Sequence, residues 1–376
     1  MTLINYLTRV HFGDGILEEA LWAEIERNGK RRPLVVAGSE HLTGGLAERF
    51  FAGLPKRSLV EVFSECPDVP TEAAVRTVVD IYCKTNRDLL IAYGRGNAID
   101  LAKLVRIALR HKQPLSVFAS SEGGSHRVAS DLPDLYAVPG IVGFASCLTS
   151  HARVALASNE RIEVVSSALI PTVTICDPTL TLGTPPMTSA SAGVIAISNC
   201  VEAFLSRSYN PPADGIALDG LARGVRCLHR TTRTDDLEMR REMMAAALNG
   251  ALAQQKGLGV AHAIGNAVDA VSSERIDAGA LGRLVLPGVL RFYAEAPCDQ
   301  YKTLCDALKL SSDVSLADGF ETFLSDLPLP GSLKDMGIGG RQICAAAAIA
   351  ARDRTAANCP RTPRAEDIVS IMQSVR

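Results

Sequence analysis

Five short apolar runs, separated by stretches with helical spacing, confine the first half of this chain to a narrow set of folds. The runs are residues 33–37 (PLVVA), 59–63 (LVEVF), 89–93 (LLIAY), 135–138 (LYAV) and 173–176 (VTIC). Between them, 16–28, 42–54, 72–84 and 98–110 carry apolar residues at helical spacing. A strand apolar at every position must bury both faces, so this alternation predicts a parallel sheet covered by helices on both sides. One stretch departs from it: segments 153–158 and 161–166 alternate polar and apolar residues across Asn159-Glu160. They read as an antiparallel hairpin at the edge of the domain.

After Asp177-Pro178 the pattern changes. Segments 189–206, 215–229, 236–255, 260–270, 278–293, 299–308 and 342–351 all have helical spacing, and no strand pattern follows. Thr184-Pro185-Pro186 stops the preceding segment, and Thr188 or Ser189 can cap the helix beyond it. The expectation is an α/β domain over 1–180 and an all-helical domain over 181–376. The charge run 230–241 reads as a solvated helix start.

With 39 Lys+Arg against 41 Asp+Glu, the chain has no basic excess for a nucleic-acid face. It has no uncharged run of about 18 apolar residues, so no membrane partner is expected. Its start lacks a signal-peptide layout, which predicts a cytoplasmic protein. The ten cysteines include no C-x-x-C pair and suit small buried residues in a reducing compartment.

One turn carries chemistry. Gly94-Arg95-Gly96-Asn97 leaves a strand and opens a helix that continues through Asp100 and Lys103. Backbone N–H groups at such a helix start hold phosphate without side-chain help. Together with Asp177-Pro-Thr-Leu-Thr-Leu-Gly-Thr-Pro-Pro, Val201-Glu202-Ala203 and Gly257-Leu-Gly-Val-Ala-His262, this turn resembles the iron-containing (group III) alcohol dehydrogenases. That family includes glycerol dehydrogenase and maleylacetate reductase. The opening Val10-His-Phe-Gly13 and the closing Asn358-Cys-Pro-Arg-Thr-Pro363 extend the likeness over nearly the whole chain. The resemblance implies a Rossmann-like dinucleotide-binding domain, a helical domain of the dehydroquinate synthase-like type, and a homodimer.

The resemblance also shows where this chain departs from the family. The family binds a divalent metal through one Asp and three His. The first two lie in a stretch like G-M-D-A-L-T-H-A-I-E-A; here those positions are Ile195 and Asn199. The second His is retained as His262, the third aligns with Ala278, and a further His often found four residues after the second is Asn266. One imidazole cannot hold a metal that needs three or four converging donors, so no metal is expected.

On the cofactor side, the family's Gly-Gly-Gly-Ser turn has become Gly94-Arg95-Gly96-Asn97. The Arg95 guanidinium can clasp a phosphate or fill its place. The second nucleotide segment, usually P-T-T-A-G-T-G-S-E, is 139–147 here and ends in Cys147. Where the family has an Asp for the adenosine ribose, this chain has Ala37-Gly38-Ser39. Loss of that carboxylate implies NADP rather than NAD as cofactor. Asp100 and Lys103 match the family's D-x-x-K, for binding or for pinning the helix to the sheet.

His262 is the candidate proton donor to a carbonyl, or else a relic of the metal site. Asn199 and Asn266 can orient a small polar substrate or satisfy each other. Cys147 and Cys200, cleft-facing by the resemblance, are either nucleophiles or core fillers. The other histidines show no pairing and read as surface or structural. Two functions follow from this pattern. One is a metal-independent NAD(P)H-dependent reductase similar to maleylacetate reductase. The other is a non-redox lyase, isomerase, cyclase or binding protein on the same fold.

Overall fold

The computed structural model describes residues 8–140, 144–158, 160–272, 275–296 and 299–376. They form two compact units, one ending at Leu182 and the other beginning at Gly183.

The first unit alternates strands and helices: β1 (Arg9–Phe12), α1 (Leu17–Arg27), β2 (Pro33–Ala37), α2 (Gly44–Ala52), β3 (Glu61–Phe63), α3 (Glu72–Lys84), β4 (Leu89–Gly94), α4 (Gly96–Arg110), β5 (Leu135–Pro139), α5 (Phe144–Leu148), β6 (His151–Ala155), β7 (Arg161–Val165) and β8 (Val173–Cys176). Six strands form one sheet in the order β1-β8-β5-β4-β2-β3, every pair parallel. The central strands β2, β4 and β5 are buried throughout, as their continuous apolar runs require.

Three details differ from the sequence expectation. Strand β1 was not anticipated, because polar Arg9 and His11 interrupt its apolar residues and turn to α1. Its Arg9 Nη1 and His11 Nε2 meet the fully buried Glu24 carboxylate of α1 at 2.6 and 2.8 Å. The hairpin strand β6 runs from His151 to Ala155 instead of over 153–158, and it ends early because Leu156 N–H already donates to Glu160 O at 2.8 Å and closes the turn there. Leu59, expected inside a strand, is exposed ahead of the short β3.

The second unit is α6 (Pro186–Leu205), α7 (Pro211–Thr231), α8 (Leu237–Ala253), α9 (Val260–Val271), α10 (Ala278–Ala294), α11 (Gln300–Ala307), α12 (Leu316–Ser325), α13 (Gly340–Ala350), α14 (Arg354–Ala357) and α15 (Ala365–Gln373). No strand occurs among its described residues. Helix α6 is its buried centre, packed against α7, α8 and α10. It starts at Pro186 rather than at a Thr188 or Ser189 cap, because proline fits the first helical position, whose N–H has no intrahelical partner. Gly279 lets α10 approach closely, since a Cβ there would lie 2.0 Å from Ser191 O. Arg240, in the run expected to be solvated, is buried; it donates to Ser189 Oγ at 2.7 Å and to Asp235 Oδ1 at 2.9 Å. Helices α12 and α15 were missed because their apolar stripes are short.

Candidate active site

The chain leaves β2 for β3 on one side of the sheet, then returns through α3 to place β4 on the other side of β2. Such a reversal opens a crevice at the carboxyl ends of the two strands, the usual ligand position in open α/β sheets. The two strand ends here are Ala37-Gly38 and Tyr93-Gly94.

Gly94 sits at φ +111°, a conformation that side chains rarely adopt. A Cβ at this position would come within 2.2 Å of the His41 ring. Gly96 begins α4, with Arg95 exposed at the N-cap, so the first N–H groups of this 15-residue helix open at the strand end. Asn97 turns away from that opening and donates to Pro67 O at 2.8 Å. His41 was expected to be a surface or structural histidine, yet it is buried in the crevice beside Tyr93 and Gly140. Its Nε2 has no hydrogen-bond partner among the described residues. Burial lowers its pKa, which Arg95 reinforces and Glu40 opposes, so the imidazole is held neutral. A cradle closed to side chains, a helix start and an orphaned ring nitrogen fit a nucleotide pyrophosphate. No pairing in the sequence marked His41; its only signal was its place three residues beyond the Gly38 strand end.

The other cofactor candidates are placed as follows. Gly38 caps a single helical turn over Ser39–His41 and bridges to Glu65. Lys103 is fully buried, and its Nζ donates to Thr149 O and His151 O at 2.8 Å each. Burial lowers its pKa to about 8, and Asp100 stands 4.0 Å away. Through these two hydrogen bonds Lys103 ties α4 to the start of β6. Ile141, Val142 and Gly143 of the second nucleotide segment lie outside the described residues. Cys147 is fully buried at the end of that segment, and its carbonyl accepts from Thr174 Oγ1 at 2.9 Å. Cys200 is equally buried against Gly220, and burial pushes its thiol up to about 12. Neither sulfur is presented to a substrate, contrary to the expectation that both face a cleft.

In the helical unit, His262 and Asn266 lie one turn apart on the same face of α9. The start of α9 is fixed by Glu202 of α6, whose carboxylate accepts from Ala261 N–H at 2.7 Å and from His262 N–H at 3.2 Å. Val260 N–H donates to Tyr293 Oη at 3.0 Å. Glu202 is buried, which pushes its pKa up to about 7 although these backbone hydrogen bonds oppose the shift. Asn266 Nδ2 donates to Asp353 Oδ2 at 3.3 Å. Asn199 is buried on α6, one turn before Glu202, with its Cβ close to Gly250.

Half-buried Ile195 and exposed Ala278 occupy the positions where the resemblance would place metal ligands. Asp277, next to Ala278, is spent as the α10 cap: it accepts from Ala280 N–H at 2.9 Å and Ser191 Oγ at 2.5 Å. Among the described residues no three His, Cys, Asp or Glu side chains converge as metal donors. The described residues at these positions therefore do not supply the donor set that a divalent cation needs.

Two family models cover the chain: Iron-containing alcohol dehydrogenase over residues 8–178, and Fe-containing alcohol dehydrogenase family, C-terminal, over 189–375. The chain belongs to the iron-containing alcohol dehydrogenases. Within this family it is 38% identical over 346 residues to the 4-hydroxybutyrate dehydrogenase of Cupriavidus necator, covering 90% of each chain. The alcohol dehydrogenase from Oenococcus oeni superimposes with a TM-score of 0.91 at 25% identity, covering 100% of both chains. The maleylacetate reductase from Agrobacterium tumefaciens shares the fold, with a TM-score of 0.81 at 22% identity over 100% of this chain and 98% of that one. These matches establish the fold class expected from the sequence: a Rossmann-like unit followed by the helical unit of the iron-type dehydrogenases.

Proposed function

We propose that this chain reduces the carbonyl group of a short carboxylic acid with a nicotinamide dinucleotide, and oxidises the matching hydroxy acid in reverse, without a catalytic metal. The observation that carries the dinucleotide reading is the Gly38/Gly94 crevice at the sheet reversal, with the start of α4 and an unpartnered His41 nitrogen beside it. The 38% identity with a 4-hydroxybutyrate dehydrogenase over 346 residues supports a substrate that carries a carboxylate. The maleylacetate reductase-like reading expected from the sequence is likewise a nicotinamide-dependent reduction.

When bound, the dinucleotide supplies the hydride. His262 delivers the proton to the carbonyl oxygen, the task a metal would otherwise ease by polarising it. Glu202 holds the backbone that carries His262. Asn199 and Asn266 give amide groups to orient the substrate, and Asp353 fixes one of them.

The test is dinucleotide oxidation by the full-length protein with 4-oxobutanoate, in the presence of EDTA, alongside melting curves with each dinucleotide. Turnover that survives chelation, and a raised melting temperature, are expected. If neither NADH nor NADPH shifts the melt or is oxidised, the reductase reading fails. The non-redox reading, a lyase, isomerase, cyclase or binding protein, then takes its place.

A further inference from the structure

Gly38 has no side chain, yet its end of the crevice does not lack a carboxylate. A Cβ built on Gly38 would lie 2.3 Å from Glu40 Oε2 and 2.5 Å from Glu40 Oε1. The Glu40 carboxyl group is folded back over the strand end, into the space a side chain at position 38 would occupy. The extended backbone at Gly38 and the single helical turn over Ser39–His41 bring it there. Glu40 Oε1 is 3.5 Å from the buried, unpartnered Nε2 of His41, so the two side chains share the rim of one crevice.

From this placement, and resting on the dinucleotide reading above, we infer that Glu40 is the specificity residue for the adenosine ribose and selects NAD(H) against NADP(H). A carboxylate at the end of this strand accepts from the ribose hydroxyls of NAD; it meets a 2′-phosphate with like charge. The glycine at position 38 pointed the other way, because sequence order alone cannot show a side chain reaching back two residues. The structure restores the negative charge from position 40. Glycine at 38 leaves this space to the Glu40 carboxylate, so the two positions share one end of the crevice. Glu40 is more than half exposed and supports no core packing, so its replacement leaves the fold intact.

The experiment is calorimetric titration of the full-length protein, wild type, Glu40→Ser and Glu40→Asp, with ADP-ribose and with its 2′-phosphorylated form. These ligands carry no nicotinamide, so the readout is binding and not turnover. Wild type is expected to prefer ADP-ribose, and Glu40→Ser to shrink that preference by about tenfold to a hundredfold, the value of a hydrogen-bonded charge. Glu40→Asp, whose shorter arm keeps the charge, is expected to retain a preference for ADP-ribose. A wild type that favours the 2′-phosphate, or a Glu40→Ser variant with unchanged preference, overturns the role of Glu40 while leaving the dinucleotide reading in place. If neither ligand binds wild type, the dinucleotide reading itself fails, and this inference falls with it.

Discussion

The Glu202 carboxylate of α6 accepts the Ala261 N–H at the start of α9 at 2.7 Å, and so joins the helix that replaces a metal ligand with Asn199 to the helix that keeps His262. Burial raises the Glu202 pKa to about 7 from an ordinary value of 4.5. The folded state therefore holds this proton to higher pH than the unfolded state does. The stability it confers is complete below about pH 4.5 and is lost as pH rises through 7. We expect Glu202→Gln, which keeps an acceptor for the N–H, to flatten that part of the curve by up to about 3 kcal/mol in urea unfolding between pH 4.5 and 8. A variant whose curve parallels wild type would contradict the buried titration.

Gly94→Ala meets two obstacles at once: a backbone at φ +111° and the His41 ring within 2.2 Å of the new Cβ. The expected cost is about 1–3 kcal/mol in denaturant unfolding, with dinucleotide binding weakened at least about tenfold. Normal affinity in a well-folded Gly94→Ala protein would remove the crevice from the ligand site.

His262 is partly exposed on α9, and its anchoring contacts to Glu202 are made by the backbone. His262→Ala should therefore keep the wild-type melting temperature within a few degrees while lowering kcat by about 10²–10⁴, the usual value of a positioned acid. Unchanged turnover would reduce His262 to a relic.

Purified protein should contain well under one equivalent of iron or zinc by elemental analysis, and EDTA should leave its melting temperature unchanged. Stoichiometric metal, lost together with activity on chelation, would refute the metal-free mechanism.

The alternation of apolar runs with helical segments was enough to read the sheet, because strands buried on both faces must be apolar at every position. The edge strand β1 was not legible: its Arg9 and His11 are bound by a charge on α1. The site was legible only where a residue type is itself the signal, as with the Gly94 turn and the lone His262. Glu40 and His41 were not, since their roles depend on a side chain folding back and a ring turning inward. Lys103 stayed open between binding and pinning because sequence cannot show that its ammonium meets the Thr149 and His151 carbonyls.

Among the described residues strand β1 pairs only with β8, and the Gly15–Asp177 hydrogen bond beside that seam spans 162 positions. During synthesis, β2, β4 and β5 leave the ribosome and can pair while β1 still has no neighbour. The first of these strands to be made is thus among the last to be seated, and it waits as an unpaired edge until the end of the α/β unit emerges. Its short length and its charged Arg9 make that wait safe, because a four-residue edge that carries a charge is a poor template for another chain.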